Sequence, residues 1–394
     1  MINHNFAINS NSKILLFYSL FAAKHVCHVT LNKLKSQLDE DLLEIRKALV
    51  TPKPMSENNG GPDLRSLNRK LLSGLGDRLR KHMTDLQSFL KQELSFTTTN
   101  FRRSFCRSAV REGIYVEHFK QIIKICQDFC SDDTTDRTVP PLLLLLLSRT
   151  CLDLQASTLQ NVMSECDEQF SFDDNPNGLT STSRLGSHFK TMSQTLLNHY
   201  ARLEGQVLSQ MLRKSIETRD WLNSVEPRSV RAVMKRIVEE TTTIDRQVGE
   251  LYEEGFKKSR SSDSSRRTRL SHRTQRSWQT AANTSLVSNI QKMFNEKIEI
   301  FSPVEASKVS ILTGIVKIAL KTLLECVRLK TFSRFGFQQM QVDVHYLNLY
   351  MWRFVSDENL VMFMLDEVMT SVVHRCPDPT PMEQSVVDVI CDRN

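Results

Sequence analysis

Glycine and proline are scarce in this chain. Twelve glycines and eleven prolines occur in 394 residues, a share of about 6%, whereas soluble proteins average about 12%. Turns are therefore few and secondary-structure elements are long. Extended alternation of apolar and polar residues, the pattern of half-buried strands, is also missing, and Leu, Lys, Glu, Gln, Arg and Met are abundant. The sequence predicts an all-α protein.

The common motifs of catalysis and metal binding are absent. There is no Gly-rich phosphate loop, no G-x-S-x-G and no H-E-x-x-H. The nine cysteines are odd in number and include no C-x-x-C pair, which argues against a disulfide framework or a zinc site. Asp343 and His345, with Cys326 upstream, are the one possible nucleophile set, but all three lie in strongly apolar helical sequence. We therefore expect no enzyme, cofactor or metal.

The net charge of +7 is confined to one segment. Residues 257–276 contain eight basic residues and one acid, and the rest of the chain has 44 of each sign. With Trp278 as the only aromatic nearby, nucleic-acid binding is not predicted. The segment 257–282 reads as a Ser/Arg-rich linker that is either a solvated tether or a contact for anionic lipid. The candidate lipid contacts are Lys257, Lys258, Arg266, Arg267 and Arg269.

The apolar patterning divides the remainder into helical segments. Residues 1–27 include an apolar run at 14–23 that is too short to span a bilayer, leaving a buried helix, a non-native start or a signal-peptide core as its alternatives. Residues 28–130 carry leucine stripes at steps of three and four, which predict coiled-coil-like helices. Two helical bundles follow, at 139–256 and 284–394. We expect these bundles to stack, mostly antiparallel, into an elongated rod.

The C-terminal segment holds the candidate interaction residues. No proline interrupts 304–376, and apolar residues surround parts of its helices, so they must be buried in a core or against another chain. Aromatic and methionine side chains are also enriched at protein interfaces. Asp at position 352 or 354 is expected to disrupt this bundle. The candidate core or interface residues are Phe332, Phe335, Tyr350, Trp352, Phe354 and Met362.

Four runs of sequence together resemble one family. They begin PPLLLLLLSRTCLDL at 140, RSVRAVMKRIVEETTTIDRQVGELYEEGFKKSRSSDSS at 228, NIQKMFNEKIEIFSPVEASKVSILTGIVKIALKTLLECVRLKTF at 289 and RFGFQQMQVDVHYLNLYMWRFV at 334. They are similar to the C-terminal half of the vacuolar protein sorting-associated protein 51 family, whose members are subunits of the Golgi-associated retrograde protein complex and of the endosome-associated recycling complex. The resemblance covers 140–394 best and 28–139 more loosely.

The resemblance implies a non-enzymatic subunit of a helical-rod vesicle tether. Its partners would be the other subunits of the two complexes, and it would act at the cytoplasmic face of the trans-Golgi network and recycling endosomes. In this family the N-terminal part carries the SNARE-binding segment, which this chain lacks, so SNARE binding is not expected here. The alternative is a peripheral membrane adaptor that binds anionic lipid through the basic linker.

Overall fold

The computed structural model describes residues 4–50, 62–89, 105–131, 139–170, 179–257 and 302–393. Within these ranges every regular element is helical, which confirms the all-α prediction. The chain divides into two compact units, Met1–Leu197 and Asn198–Asn394. The predicted bundle 139–256 contributes to both units. The rod-like stacking of the bundles stays a prediction.

Two long amphipathic helices begin the first unit. They are α1 (His4–Val50) and α2 (Leu64–Phe89), which contact each other. The leucine stripes that predicted them are their buried faces, as the spacing of three and four requires. The buried positions are Leu34, Leu38, Leu42 and Ile45 in α1 and Leu64, Leu71, Leu75, Leu79, Met83 and Leu86 in α2. The apolar run at 14–23 lies within α1.

Wider helical turns interrupt two of the other helices of this unit. A π-helical segment, Cys106–Val116, leads directly into α3 (Glu117–Asp128), and a second, Leu154–Thr158, joins α4 (Pro141–Asp153) to α5 (Leu159–Gln169). Their ends show the i→i−5 bonds of a π-helix, from Glu117 N–H to Glu112 O and from Leu159 N–H to Leu154 O. The apolar spacing of the sequence did not predict these π-helical parts.

The continuous helix Pro141–Gln169 is the one helix in the described ranges that is long and apolar enough to cross a membrane, judged by length and composition alone. Its leucines Leu143–Leu146 are fully buried within the protein. Helix α4 contacts both α1 and α2. Burial among neighbouring helices is typical of a core helix, and this is how we interpret it.

The second unit is a bundle of helices. Helix α6 (Thr182–Glu217) enters it, and α7 (Ala232–Leu251), α8 (Lys308–Arg328), α9 (Arg334–Met351), α10 (Glu358–His374) and α11 (Gln384–Asp392) follow. Helix α8 contacts α7 and α10, and α9 contacts α7, α10 and α11. Residues 218–231 form the loop between α6 and α7, and this loop packs against the start of α9.

Candidate interaction surfaces

The six candidate residues of the C-terminal segment occupy different environments. Phe332 and Phe354 are buried, whereas Tyr350 and Met362 are half-buried. Phe335 and Trp352 remain 38% and 41% exposed. The first pair therefore belongs to the core. The exposure of Trp352 revises the expectation that an Asp at this position would disrupt the bundle.

Phe332 lies at one end of the second unit, where it packs against Trp221 with ring centroids 5.0 Å apart. The Ser333 backbone N–H and hydroxyl donate to the Trp221 carbonyl oxygen at 3.1 and 2.9 Å. A Cβ at Gly336 would lie only 2.5 Å from that oxygen, so glycine permits the close approach. Loop 218–231 is thereby fixed to the start of α9.

A buried ion pair holds the other side of this loop. Arg231 donates from Nε to Asp343, a side chain with no solvent exposure, and its backbone N–H bonds the same carboxylate at 3.1 Å. Gln339 donates to Asp343 at 3.2 Å, and the Arg231 guanidinium lies 4.7 Å from the Trp221 ring centroid. Because each buried charge has a partner, removing either one would leave the other uncompensated.

We define the basic end of the second unit as residues 213–228, 328–336 and 374–378. Two hydrogen bonds join these segments: Lys330 Nζ donates to Glu217 O at 3.2 Å and Arg375 Nε donates to Lys330 O at 3.0 Å. The segments contain eight bases against four acids. The bases are Arg213, Lys214, Arg219, Arg228, Arg328, Lys330, Arg334 and Arg375, and the acids are Glu217, Asp220, Glu226 and Asp378.

Phe354 lies at the opposite end of the same bundle, because α8 begins there and runs 21 residues, about 30 Å, to the basic end. Residues 253–257 are held to the start of α8 by bonds from Lys308 N to Glu253 O and from Val309 N to Glu254 O. The turn after Trp352 is held to the same helix by a bond from Ser356 N to Thr313 Oγ1 at 2.9 Å.

We define the acidic end as residues 253–257, 305–308 and 352–358. It has five acids and three bases. Phe256, 82% exposed, and Trp352 are its large exposed apolar side chains among the described residues. The Trp352 indole N–H donates to Leu349 O at 3.0 Å, so the polar edge of the ring is satisfied within the protein.

Lys257 is the only candidate lipid contact among the described residues. Its amine donates to Arg353 O at 3.2 Å and pairs with Glu254, which places the beginning of the linker beside Trp352. Lys258, Arg266, Arg267 and Arg269 lie outside the described residues. The linker prediction therefore stays a prediction.

The possible nucleophile set is not assembled. Asp343 pairs with Arg231, and His345 Nε2 lies 2.9 Å from Asp388 Oδ1. Burial raises the pKa of the Cys326 thiol, which keeps it protonated and weakly nucleophilic. Burial likewise lowers the pKa of His345, although Asp388 opposes this. In the described ranges no group of three or more His, Cys, Asp or Glu residues could hold a metal ion.

Comparison with known proteins gives consistent matches. The chain is 50% identical over 364 residues to the vacuolar protein sorting-associated protein 51 homolog of Homo sapiens, covering 89% of this chain and 46% of that protein. It is 46% identical over 400 residues to the homolog of Danio rerio, covering 94% and 48%. It is 41% identical over 391 residues to that of Drosophila melanogaster, covering 94% and 52%. No family model matches.

The chain belongs to the family of vacuolar protein sorting-associated protein 51 homologs. It spans about half the length of the curated relatives it matches.

Proposed function

We propose that this protein is a non-enzymatic scaffold subunit of a vesicle-tethering complex in endosome-to-trans-Golgi retrograde transport and endosomal recycling. The observation that carries the proposal is the 46–50% identity to vacuolar protein sorting-associated protein 51 homologs over about nine tenths of the chain. Its partners are the other subunits of the Golgi-associated retrograde and endosome-associated recycling complexes, at the cytoplasmic face of the trans-Golgi network and recycling endosomes.

The mechanism we propose is the burial of exposed apolar side chains between subunits. Trp352 and Phe256 at the acidic end are suited to this role, because large aromatic side chains dominate the binding energy of many interfaces. The Trp352 ring can be covered without losing a hydrogen bond, since its N–H already has an acceptor. Tyr350 and Met362 are further candidates for partner contacts.

Affinity purification of the tagged chain from cells, read by mass spectrometry, tests this function. We expect the known subunits of the two complexes to be recovered, and we expect Phe256→Ser/Trp352→Ser to reduce their recovery several-fold with unchanged thermal melting. A matched control is Val386→Ser/Val389→Ser, which removes two exposed apolar side chains from α11. Recovery of none of these subunits with the parent chain would overturn the proposal.

The second candidate function is a peripheral adaptor that binds anionic lipid through the linker. The +7 charge of residues 257–276 supports it. Replacing Arg266, Arg267 and Arg269 by Gln separates the two functions. A tether subunit keeps its protein partners after this change, whereas an adaptor loses its membrane recruitment.

A further inference from the structure

We propose that the basic end of the second unit is a docking surface for membranes containing anionic lipid, separate from the linker. Four large apolar side chains project from it among the eight bases. Leu222, Val225 and Leu329 are 57%, 75% and 79% exposed, and Phe335 is exposed as well. Exposed apolar side chains surrounded by Lys and Arg are the chemistry that binds the boundary between headgroups and acyl chains.

The contacts of this end bring together the segments that carry the four side chains. Leu222 follows Trp221, whose carbonyl oxygen accepts from Ser333, two residues before Phe335. Leu329 precedes Lys330, whose amine reaches Glu217 O in the last turn of α6. Val225 lies in the loop that includes Leu222. Exposures of this size mean that the side chains project and do not line a cleft, which suits a membrane better than a peptide.

Helix-end electrostatics explain only some of the bases. Lys214 and Arg328 lie in the last turns of α6 and α8, where a cation stabilises the helix dipole. Arg328 also lies 3.7 Å from Glu367. Arg334, in contrast, is the first residue of α9, where a cation is unfavourable, and Arg228 lies in a loop. Both arginines are exposed, neither charge is favoured by a helix dipole, and both are available to lipid phosphates.

The acids of this end do not cancel the charge. Asp220 is occupied by its own turn, accepting from Leu222 N–H, Asn223 N–H and the Asn223 amide. The hydrogen bonds from Asn223 lower the pKa of Asp220. The carboxylate is therefore ionised, and it is bonded to groups of its own loop. Glu217, Glu226 and Asp378 remain, against eight bases. The surface as a whole is attractive to anionic headgroups within a Debye length, about 8 Å at physiological salt.

Co-sedimentation of the purified 394-residue chain with vesicles tests the proposal. The vesicles contain phosphatidylcholine alone or with 30% phosphatidylserine, a composition chosen to be about as anionic as a cytoplasmic leaflet. We expect binding only to the anionic vesicles. Arg228→Glu/Arg334→Glu is expected to weaken it by about tenfold or more, and Val225→Ser/Leu329→Ser by several-fold. Phe256→Ser, which removes an equally exposed side chain from the acidic end, is expected to have no effect.

A charge-matched control separates local from general attraction. Arg184→Glu/Lys190→Glu makes the same change in net charge at two exposed positions of α6 in the first unit. Binding that falls equally in this pair, or that is unchanged in Arg228→Glu/Arg334→Glu, would overturn the proposal. Neutralising Arg266, Arg267 and Arg269 alone would also overturn the proposal if it abolished vesicle binding. The same holds if the basic-end variants lose a complex subunit while vesicle binding persists, since the surface would then bind a protein.

This test does not depend on the proposed tethering function. It uses purified protein and vesicles, whereas the complex is tested by recovery of subunits from cells. A Leu222→Trp probe in a chain with Trp278 and Trp352 changed to Phe, compared with the same chain that keeps Leu222, adds a direct readout. Its fluorescence is expected to shift to shorter wavelength and be quenched by brominated lipid, and unquenched emission in the vesicle-bound chain would contradict insertion at this end.

Discussion

The two ends of the second unit are formed by the same helices but differ in charge. Both expose large apolar side chains, yet the basic end has eight bases to four acids and the acidic end three bases to five acids. Helix direction accounts for part of this. The C-termini of α6, α8 and α10 meet at the basic end, and the N-termini of α8 and α10 lie at the acidic end. Bases at C-termini and acids at N-termini are each favourable.

The difference indicates that the two ends are suited to different partners. Helix dipoles do not account for the positive charges of Arg228 and Arg334, so the basic end has more positive charge than its helix ends favour. The acidic end has two exposed aromatic side chains, Phe256 and Trp352, and the Trp352 N–H already has an acceptor. If the ends work separately, a change at one should leave the binding of the other intact. The following experiments test how independent they are.

The largest effect is expected at the buried Arg231–Asp343 ion pair that holds loop 218–231. Asp343→Ala leaves Arg231 buried without its carboxylate, which costs about 3–5 kcal/mol of unfolding free energy. Urea unfolding can be followed by Trp221 fluorescence after Trp278 and Trp352 are changed to Phe. We expect Trp221 to become exposed at lower urea than in the parent.

A double variant is the control for that prediction. Arg231→Met/Asp343→Leu replaces both charges by apolar groups and should be more stable than Asp343→Ala, because no buried charge is left alone. A loss below about 1 kcal/mol in Asp343→Ala would mean that Arg231 reaches water when its partner is removed.

An effect of similar size is expected in the core of the acidic end. Phe354→Ala removes a buried ring and should cost about 3–5 kcal/mol. Trp352→Ala, two residues away, removes an exposed ring and should cost less than about 1 kcal/mol. Thermal melting followed by circular dichroism compares the two variants. Equal losses would show that Trp352 is covered in the folded chain.

The sequence predicted the helices of this structure better than the composition of the basic and acidic ends of the second unit. Leucine spacing identified the buried faces of α1 and α2, because core-facing positions of a helix repeat every three to four residues. Composition also located the apolar block that contains Phe332 and Phe354. It could not distinguish Phe354 from Trp352, since both are large aromatics and burial depends on which helix comes to pack beside them.

The pairing of Arg231 with Asp343 was also beyond the sequence. The two residues are 112 positions apart, and only the return of α9 beside loop 218–231 joins them. The one signal was an Asp inside an apolar helix, which must find a buried partner. The positive charge of the basic end could not be predicted from the sequence either. Its bases come from three separate segments, and the summed charge outside the linker is zero.

A change in the body of the bundle tests whether both ends belong to one cooperative unit. Burial raises the pKa of Glu204 on α6 to about 7 from an ordinary 4.5, and Glu240 adds to the rise. The folded protein therefore binds this proton more tightly than the unfolded chain, so stability falls as pH rises from about 4.5 to 7.

Glu204→Gln removes that penalty. We expect it to stabilise the second unit by roughly 2 kcal/mol at pH 8 and to have little effect at pH 4.5, given about 1.4 kcal/mol per pKa unit and partial solvation. Single-tryptophan chains that keep Trp221 or Trp352 report on the two ends separately. The same gain from both probes supports one cooperative unit, and a gain in only one shows that the ends unfold independently.

The smallest and most local effects are expected from two glycines, one at each end. Gly255 has a φ of +82°, and an added Cβ would lie 2.6 Å from Ser307. Gly255→Ala should therefore cost about 1–2 kcal/mol and displace Phe256 and Lys257. Gly336→Ala should cost a similar amount at the basic end, because its Cβ would meet the Trp221 carbonyl oxygen and push loop 218–231 away.

The two variants should have reciprocal effects on binding. Gly336→Ala is expected to weaken vesicle binding and shift Trp221 emission while subunit recovery stays normal. Gly255→Ala is expected to reduce subunit recovery and shift Trp352 emission while vesicle binding stays normal. If each variant reduced both activities, a local change at one end would have to alter the other end, about 30 Å away along α8. The two ends would then be structurally coupled and not independent.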